Sequence, residues 1–463
     1  MTKNLTVGNP ILLIIGFATP LFIGNMFQQF YNMADTFIVG RTIGVTALAA
    51  VGCTGSISFF ILGFVWGFNQ GTSIVTAQRF GAGDEAGVRR SFAASILLSA
   101  AMTVVLTAVS MSTARNFLIL MRTPVEILDA AYSYIIVIYT GIAATVLFNL
   151  LSNMMRAVGD SRTPLLFLII ACIINIILDF VFILVFHTGV EGAAYATVIA
   201  QVVSGLLCIP MITAKIPVLR IRKEDWYFLR RGAANSAGKE LWEHLRVALP
   251  VGFQFSIIAV GTVILQFALN GLGTLAVAAF AAAVKIDQMA IMPMSSFGSA
   301  MTTFVAQNYG ARKPDRIRKG LFQSLGISAA FSVIIGIVFI LTGDRFAAIF
   351  IEKGSAAIPL AHTYLKINGV CYVLLSSMFI CRQSLQGLGN SFVPTISGIM
   401  ELLMRMFGAI ILTRYFGYVG ACWAGPLAWL GALVPSFVMV FVKLKWLNRG
   451  AIAGRRKQNF FRR

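Results

Sequence analysis

The chain has 463 residues, of which 58% are hydrophobic and only 12% are charged. Because soluble domains carry about 25% charged residues, this composition excludes an ordinary soluble protein and indicates an integral membrane protein. The net charge of +20 lies mostly in alternate loops, which follows the positive-inside rule and argues against a nucleic-acid-binding protein. The six cysteines have no CxxC spacing and are typical of small buried hydrophobes in a reducing context.

Apolar runs of helical length predict an all-α membrane protein with twelve transmembrane helices. The runs cover residues 10–39, 45–78, 91–112, 130–155, 163–186, 190–213, 246–270, 273–306, 320–342, 358–386, 392–414 and 418–445. Since the loops rich in Lys and Arg are expected inside, we predict a multi-pass protein of the cell inner (plasma) membrane with both termini in the cytoplasm.

The chain repeats itself at an offset of about 230 residues. Gln78–Ala82 recurs as Gln307–Ala311, and Gly159-Asp160-Ser161 recurs as Gly389-Asn390-Ser391. Six spans in each half insert the same way up, so we expect two lobes related by a pseudo-two-fold axis along the membrane normal. The predicted segments are an N-terminal six-helix lobe at 1–214, a cytoplasmic linker at 215–245, a C-terminal six-helix lobe at 246–446 and a basic cytoplasmic tail at 447–463.

One apolar run contains Asn175 and Asp179, one helical turn apart and therefore on one face. An acid at membrane depth is costly: it either stays protonated and bonds a neighbouring helix, or it binds a moving ion. Counted from the outer ends of their helices, Asp35 and Thr197 reach a similar depth. Two carboxylates, an amide and a hydroxyl are oxygen ligands suited to Na⁺, and the two acids together are equally suited to taking up a proton.

The positions that match this set in the second half are Leu265, Arg405, Ala409 and Gly425. A purely structural polar cluster would be expected to duplicate with the fold. The polar set is present in the first half alone, which favours an ion site there.

Other polar residues within the spans leave more than one interpretation open. Glu401 and Arg405 have the i, i+4 spacing of an ion pair within one helix, although contact with substrate is the alternative. Lys285 and Asp287 are two residues apart and do not face each other, so either touches substrate or pairs with another helix. Pro20 must bend the first helix, either as static packing or as a hinge.

Five stretches together resemble the multidrug and toxic compound extrusion (MATE) family of cation-coupled exporters. They are NMADTFIVGR, QRFGAGD, RAVGDSRTP, ACIINIILDF and GVEGAAYAT. The resemblance implies two six-helix lobes and an ion site in the first, with matches at Asp35, Asn175, Asp179, Thr197 and the backbone carbonyl of Ala193. The Asn and Asp pair is similar to the damage-inducible-type branch. Acids that another branch carries on the seventh and tenth helices are missing around Gln254–Ile258 and Gly369–Ser377, so a second ion site is not expected.

The resemblance also implies an antiporter that exports amphipathic organic, mostly cationic, compounds in exchange for Na⁺ or H⁺, without another cofactor. Candidate substrate contacts are amides, an aromatic residue and methionines: Gln28, Tyr31, Asn32, Asn149, Asn153, Met289 and Met292. A lipid-linked precursor flippase of the same superfamily is the alternative, but it requires a strongly basic cavity. The chain has neither HExxH nor GxSxG, so we do not expect an enzyme, and nothing in it indicates more than a monomer.

Overall fold

The computed structural model describes residues 3–121, 123–229, 234–352 and 354–460. Residues 230–233 of the predicted linker and 461–463 of the predicted tail lie outside these ranges. Within them the chain is almost entirely helical and contains no β-strand.

Where the structure describes it, the first half of the chain forms seven α-helices, because apolar runs in a membrane must satisfy their backbone groups internally. They are α1 Pro10–Thr42, α2 Val45–Gly81, α3 Glu85–Leu120, α4 Val125–Thr140, α5 Ile142–Ala157, α6 Arg162–Phe180 and α7 Val190–Lys215. The pair α4 and α5 is bent by 45° and forms a single broken span. A π-helical turn, Val181–Val185, extends α6.

In its described residues, the second half forms six α-helices in the same order. They are α8 Ala234–Asn270, α9 Thr274–Gly310, α10 Pro314–Phe350, α11 Ala357–Gly387, α12 Phe392–Phe407 and α13 Thr413–Phe460, with a second π-helical turn at Gly408–Leu412. The apolar stretch Phe392–Leu447 has 56 residues, and if straight it would measure about 84 Å, more than twice the bilayer core. It is interrupted at Gly417, whose φ of 57° and ψ of −134° are not helical.

The span count follows from these breaks. In the described residues, ten helical stretches are long and apolar enough to cross a membrane, and the bent pair α4–α5 makes eleven. Gly417 divides the longest stretch into two, which gives twelve spans and confirms the predicted number.

The helices group into two compact units. Unit 1 comprises Met1–Asn4 and Pro20–Ser256, and unit 2 comprises Leu5–Thr19 and Ile257–Arg463. The chain therefore passes from one unit to the other inside α1, immediately before Pro20, and again inside α8, after Ser256. Helix α1 itself continues unbroken through Pro20.

Within unit 1, the beginning of α8 packs tightly against α2. A Cβ atom added at Gly67 would lie 2.6 Å from the Val251 carbonyl oxygen, so this approach of backbones requires glycine. At the end of α2, Arg79 contacts both Glu240 and Glu243 of α8. These contacts fix the start of α8 to the first unit.

Candidate functional site: a buried carboxylate pair in the first unit

The four side chains of the predicted ion site come together in unit 1. Asp35 lies near the end of α1, Asn175 and Asp179 lie in the last turns of α6, and Thr197 lies in α7. The amino end of α6 is held by Asp160, whose carboxylate accepts from the backbone N–H of Thr163 at 3.0 Å and from its hydroxyl at 2.7 Å. Its other end runs directly from Asp179 and Phe180 into the π-helical turn, a feature frequently found at functional sites.

The two carboxyl groups lie side by side. The Asp35 and Asp179 side chains are within hydrogen-bonding range of each other, and Asn175 is within range of Asp35. Asn175 and Asp179 are both fully buried. Two carboxylates only accept hydrogen bonds, so this contact requires a proton or a cation between them.

Four oxygen atoms of this cluster have no hydrogen-bond donor among the residues that the structure describes. They are Asp35 Oδ1, Asn175 Oδ1 and both oxygens of Asp179. A buried acceptor without a donor is costly, and a buried carboxylate without one is costlier still. The cluster thus has oxygen atoms that suit a hard cation or a proton, and these atoms lack hydrogen-bond donors among the described residues.

The Thr197 hydroxyl differs from these four oxygen atoms, because it already has hydrogen-bond partners. Its hydroxyl accepts from Tyr31 at 2.9 Å and from the Asn175 amide nitrogen at 3.5 Å, and it donates to the Ala193 carbonyl at 3.0 Å. These three contacts use the hydrogen-bonding capacity of a hydroxyl group completely. Thr197 and Ala193 therefore orient Asn175, whose amide oxygen has no donor among the described residues.

Two tyrosines complete the surroundings of the carboxylates. Tyr31, which the sequence proposed as a substrate contact, is 8% exposed and bonds Thr197, so it belongs to this cluster. Tyr134 of α4 lies close to both Asp35 and Asp179 and was missed by the sequence reasoning. The sequence does contain one indication that Tyr134 matters, because the position 230 residues later in the second half is also a tyrosine, Tyr364.

The other proposed substrate contacts lie in both units. In unit 1, Gln28 and Asn153 are half-buried, Asn32 is exposed, and the Asn149 amide donates to the Thr145 carbonyl at 2.8 Å. In unit 2, Met289 is largely exposed and Met292 is half-buried.

Unit 2 contains buried acids of its own, and each has partners. Asp287 of α9 accepts from the Tyr364 hydroxyl at 2.9 Å and from the Tyr372 hydroxyl. This polar cluster in the second half was not predicted. Lys285 is exposed and lies 5.9 Å from the ring centroid of Phe350, so the two residues that the sequence left undecided do not pair with each other.

The ion pair expected from the i, i+4 spacing is present in α12. Arg405 contacts Glu401 at 2.9 Å, and Arg382 of α11 contacts the other carboxylate oxygen at 2.9 Å. The contribution of Arg382 was missed, because it comes from another helix.

Two stretches of the sequence match a known protein family. A family model described as MatE matches residues 20–181 and again residues 250–411. The chain belongs to the MatE family. The two matched stretches are offset by about 230 residues, which confirms the predicted duplication.

Relatives and solved structures of MatE proteins cover almost the whole chain. The probable multidrug resistance protein YpnP of Bacillus subtilis is 25% identical over 425 residues, or 91% of each chain. The FAD transporter of Shewanella oneidensis is 24% identical over 422 residues, or 89% of this chain and 90% of that one.

A solved multidrug resistance MATE family transporter in an outward-facing conformation is similar with a TM-score of 0.87 and 25% identity, over 97% of this chain and 99% of that chain. The predicted fold is confirmed, and this MatE protein is a multi-pass membrane transporter and not an enzyme.

Proposed function

We propose that this MatE protein exports amphipathic organic compounds, mostly cations, in exchange for Na⁺ or H⁺ that enters at Asp35 and Asp179. The observation that carries the proposal is the group of four buried oxygen atoms on Asp35, Asn175 and Asp179 that have no donor in the part of the chain that the structure describes. A transported ion supplies what these oxygens lack, and its departure leaves two adjacent negative charges.

The coupling follows from the position of the two acids on different helices. With an ion bound, Asp35 and Asp179 hold the end of α1 against α6. Without it, the like charges repel, and they also attract a cationic substrate. Ion and substrate therefore stabilise different states of α1, which is the requirement for exchange. Pro20, inside α1, is the proposed hinge, since a proline removes one helical hydrogen bond.

Several features support the substrate class. Relatives are named as multidrug resistance or multidrug export proteins. The candidate contacts Gln28, Asn32, Asn149 and Asn153 are amides that orient a ligand, and Met289 and Met292 adapt to varied shapes. The relative named as an FAD transporter makes an anionic dinucleotide a useful member of any substrate panel. We further propose a monomer in the plasma membrane of a bacterial cell, with both termini in the cytoplasm.

The flippase alternative is less well supported. It requires a basic cavity, whereas the two buried arginines of unit 2 share the carboxylate of Glu401. Their charge is therefore partly neutralised within the protein.

Transport in proteoliposomes tests the proposal. Ethidium efflux is followed with a Na⁺ gradient and a pH gradient imposed separately. We expect one of the two gradients to drive efflux by the natural protein and neither to drive it in Asp35→Asn. Asp129→Asn is the matched control, since Asp129 is an exposed acid of the same unit, and it should transport normally. Ion-driven efflux by Asp35→Asn at the natural rate would contradict the proposal.

A further inference from the structure

The second half contains positions equivalent to each member of the ion cluster. The two family matches begin and end 230 residues apart, and at that offset Tyr31 corresponds to Gly261, Asp35 to Leu265 and Asn175 to Arg405. In the same register Asp179 corresponds to Ala409. The second half thus has an arginine where the first half has the amide of the ion cluster.

The structure supports this equivalence by a contact. In the first half, the side chains of Tyr31 and Asn175 meet at the hydroxyl of Thr197. In the second half, the Arg405 side chain lies against Gly261, and a Cβ added there would be 3.3 Å from both Arg405 Cδ and Nη1. The absence of a side chain at Gly261 leaves space that the arginine fills.

The charge of this arginine is held inside the unit. Glu401 contacts Arg405 and Arg382 at 2.9 Å each, and the three side chains are 5%, 10% and 5% exposed. Two guanidinium groups around one carboxylate leave a net charge of +1. Burying such a group is costly and is weak evidence for stability, so a function is a reasonable explanation for keeping it. Because the guanidinium is part of the side chain, its positive charge cannot leave the site as a bound ion can.

We propose that Arg405 is a tethered cation, which supplies to the second half permanently the positive charge that the exchanged ion supplies to the first. The second half then carries a fixed positive charge throughout the transport cycle, and a single coupling ion is exchanged at Asp35 and Asp179. The inference rests on the proposed function, because it assumes that the first cluster binds that ion.

The dependence of efflux on the coupling ion tests this assignment. In Arg405→Gln the tethered charge is gone, and the Glu401 oxygen that Arg405 contacts is open to a mobile cation, while Arg382 still holds the other oxygen. We expect the ion concentration for half-maximal efflux to rise about tenfold, and the dependence to steepen from a Hill slope of about one towards two. Added guanidinium chloride should restore the natural curve. Arg405→Lys keeps a cation and should keep the shallow curve, which a purely bidentate structural role would not predict.

Arg382→Gln is the matched control, since it removes the other guanidinium from the same carboxylate. It should lower thermal stability and leave the slope unchanged. An unchanged slope in Arg405→Gln, or the same steepening in Arg382→Gln, would overturn the inference. If Arg405→Gln does not fold, Arg405→Lys decides: a shallow curve supports the tethered cation and a steep one overturns it.

Asp35→Asn in the same assay separates the two proposals. Persistence of ion-driven efflux in Asp35→Asn overturns the proposed function and this inference together. Loss of efflux in Asp35→Asn with an unchanged slope in Arg405→Gln overturns only this inference.

Discussion

The buried acids of the two units differ in what satisfies them. In unit 1, Asp35 and Asp179 face each other, and three of their four oxygens have no donor among the described residues. In unit 2, Asp287 accepts from two tyrosine hydroxyls and Glu401 from two guanidinium groups. The protein itself offsets the cost of burying charge in unit 2, whereas in unit 1 we propose that an exchangeable ion offsets it.

The duplication makes the difference more informative. Tyr134 and Tyr364 occupy matching positions, and each lies near a buried carboxylate of its own unit. The carboxylates come from different helices, α1 and α6 in unit 1 and α9 in unit 2. The tyrosine was retained while the acid beside it changed position, so the two clusters can be compared by equivalent substitutions.

The largest expected difference is in ion-driven transport. Asp179→Asn removes one of the two adjacent charges, so it should reduce ion-driven efflux to the background of empty liposomes. Asp287→Asn replaces an acid that tyrosines already satisfy, so coupling should persist. The measurement is ethidium efflux under the driving gradient, at equal amounts of folded protein. Equal loss in both variants would break the comparison.

The next effect concerns the stability of unit 2. Glu401→Gln removes the carboxylate that two guanidinium groups contact, and breaking a buried ion pair in this way costs about 3–5 kcal/mol. We expect a clear fall in the thermal unfolding temperature in detergent, measured by tryptophan fluorescence. A stability equal to the natural protein would show that the triad is not held as the structure indicates.

Asp287→Asn should have a smaller effect on stability. The amide keeps one acceptor for a tyrosine hydroxyl and loses the other, at a cost of about 1–3 kcal/mol. The same unfolding measurement should therefore rank it between Glu401→Gln and the natural protein. A loss greater than that of Glu401→Gln would contradict this ranking.

The smallest effect should come from Tyr31→Phe. It removes the hydroxyl that bonds Thr197, a contact worth about 1 kcal/mol, and leaves the carboxylates in place. We expect maximal efflux to persist, and the ion concentration for half-maximal efflux to rise several-fold because Asn175 is oriented less well. Complete loss of efflux would show that Tyr31 has a more direct role than the structure gives it.

Contacts within one helix were predictable from the sequence, because spacing alone brings them together. Arg405 pairs with Glu401, four residues earlier, and Asn175 and Asp179, also four residues apart, are both buried on one face of α6. The length of the apolar runs and the repeat gave the twelve spans and their order in the same way.

Contacts between distant helices were not predictable in this way. Asp287 meets tyrosines 77 and 85 residues away, and Arg382 reaches Glu401 from another helix. The sequence does not predict the π-helical turns at Val181–Val185 and Gly408–Leu412 either, since the apolar residues there are equally compatible with an α-helix. The proximity of Asp35 and Asp179 was predictable only because the depths of the two residues in the membrane could be compared.

Infrared difference spectroscopy of the purified, reconstituted protein tests the central claim most directly, because it reports carboxyl groups that change when the coupling ion is added. We predict an ion-induced carboxyl signal that disappears in Asp35→Asn and in Asp179→Asn and remains in Asp287→Asn. A signal that survives in the first two variants and disappears in Asp287→Asn would contradict the account and place the exchange site in the second unit.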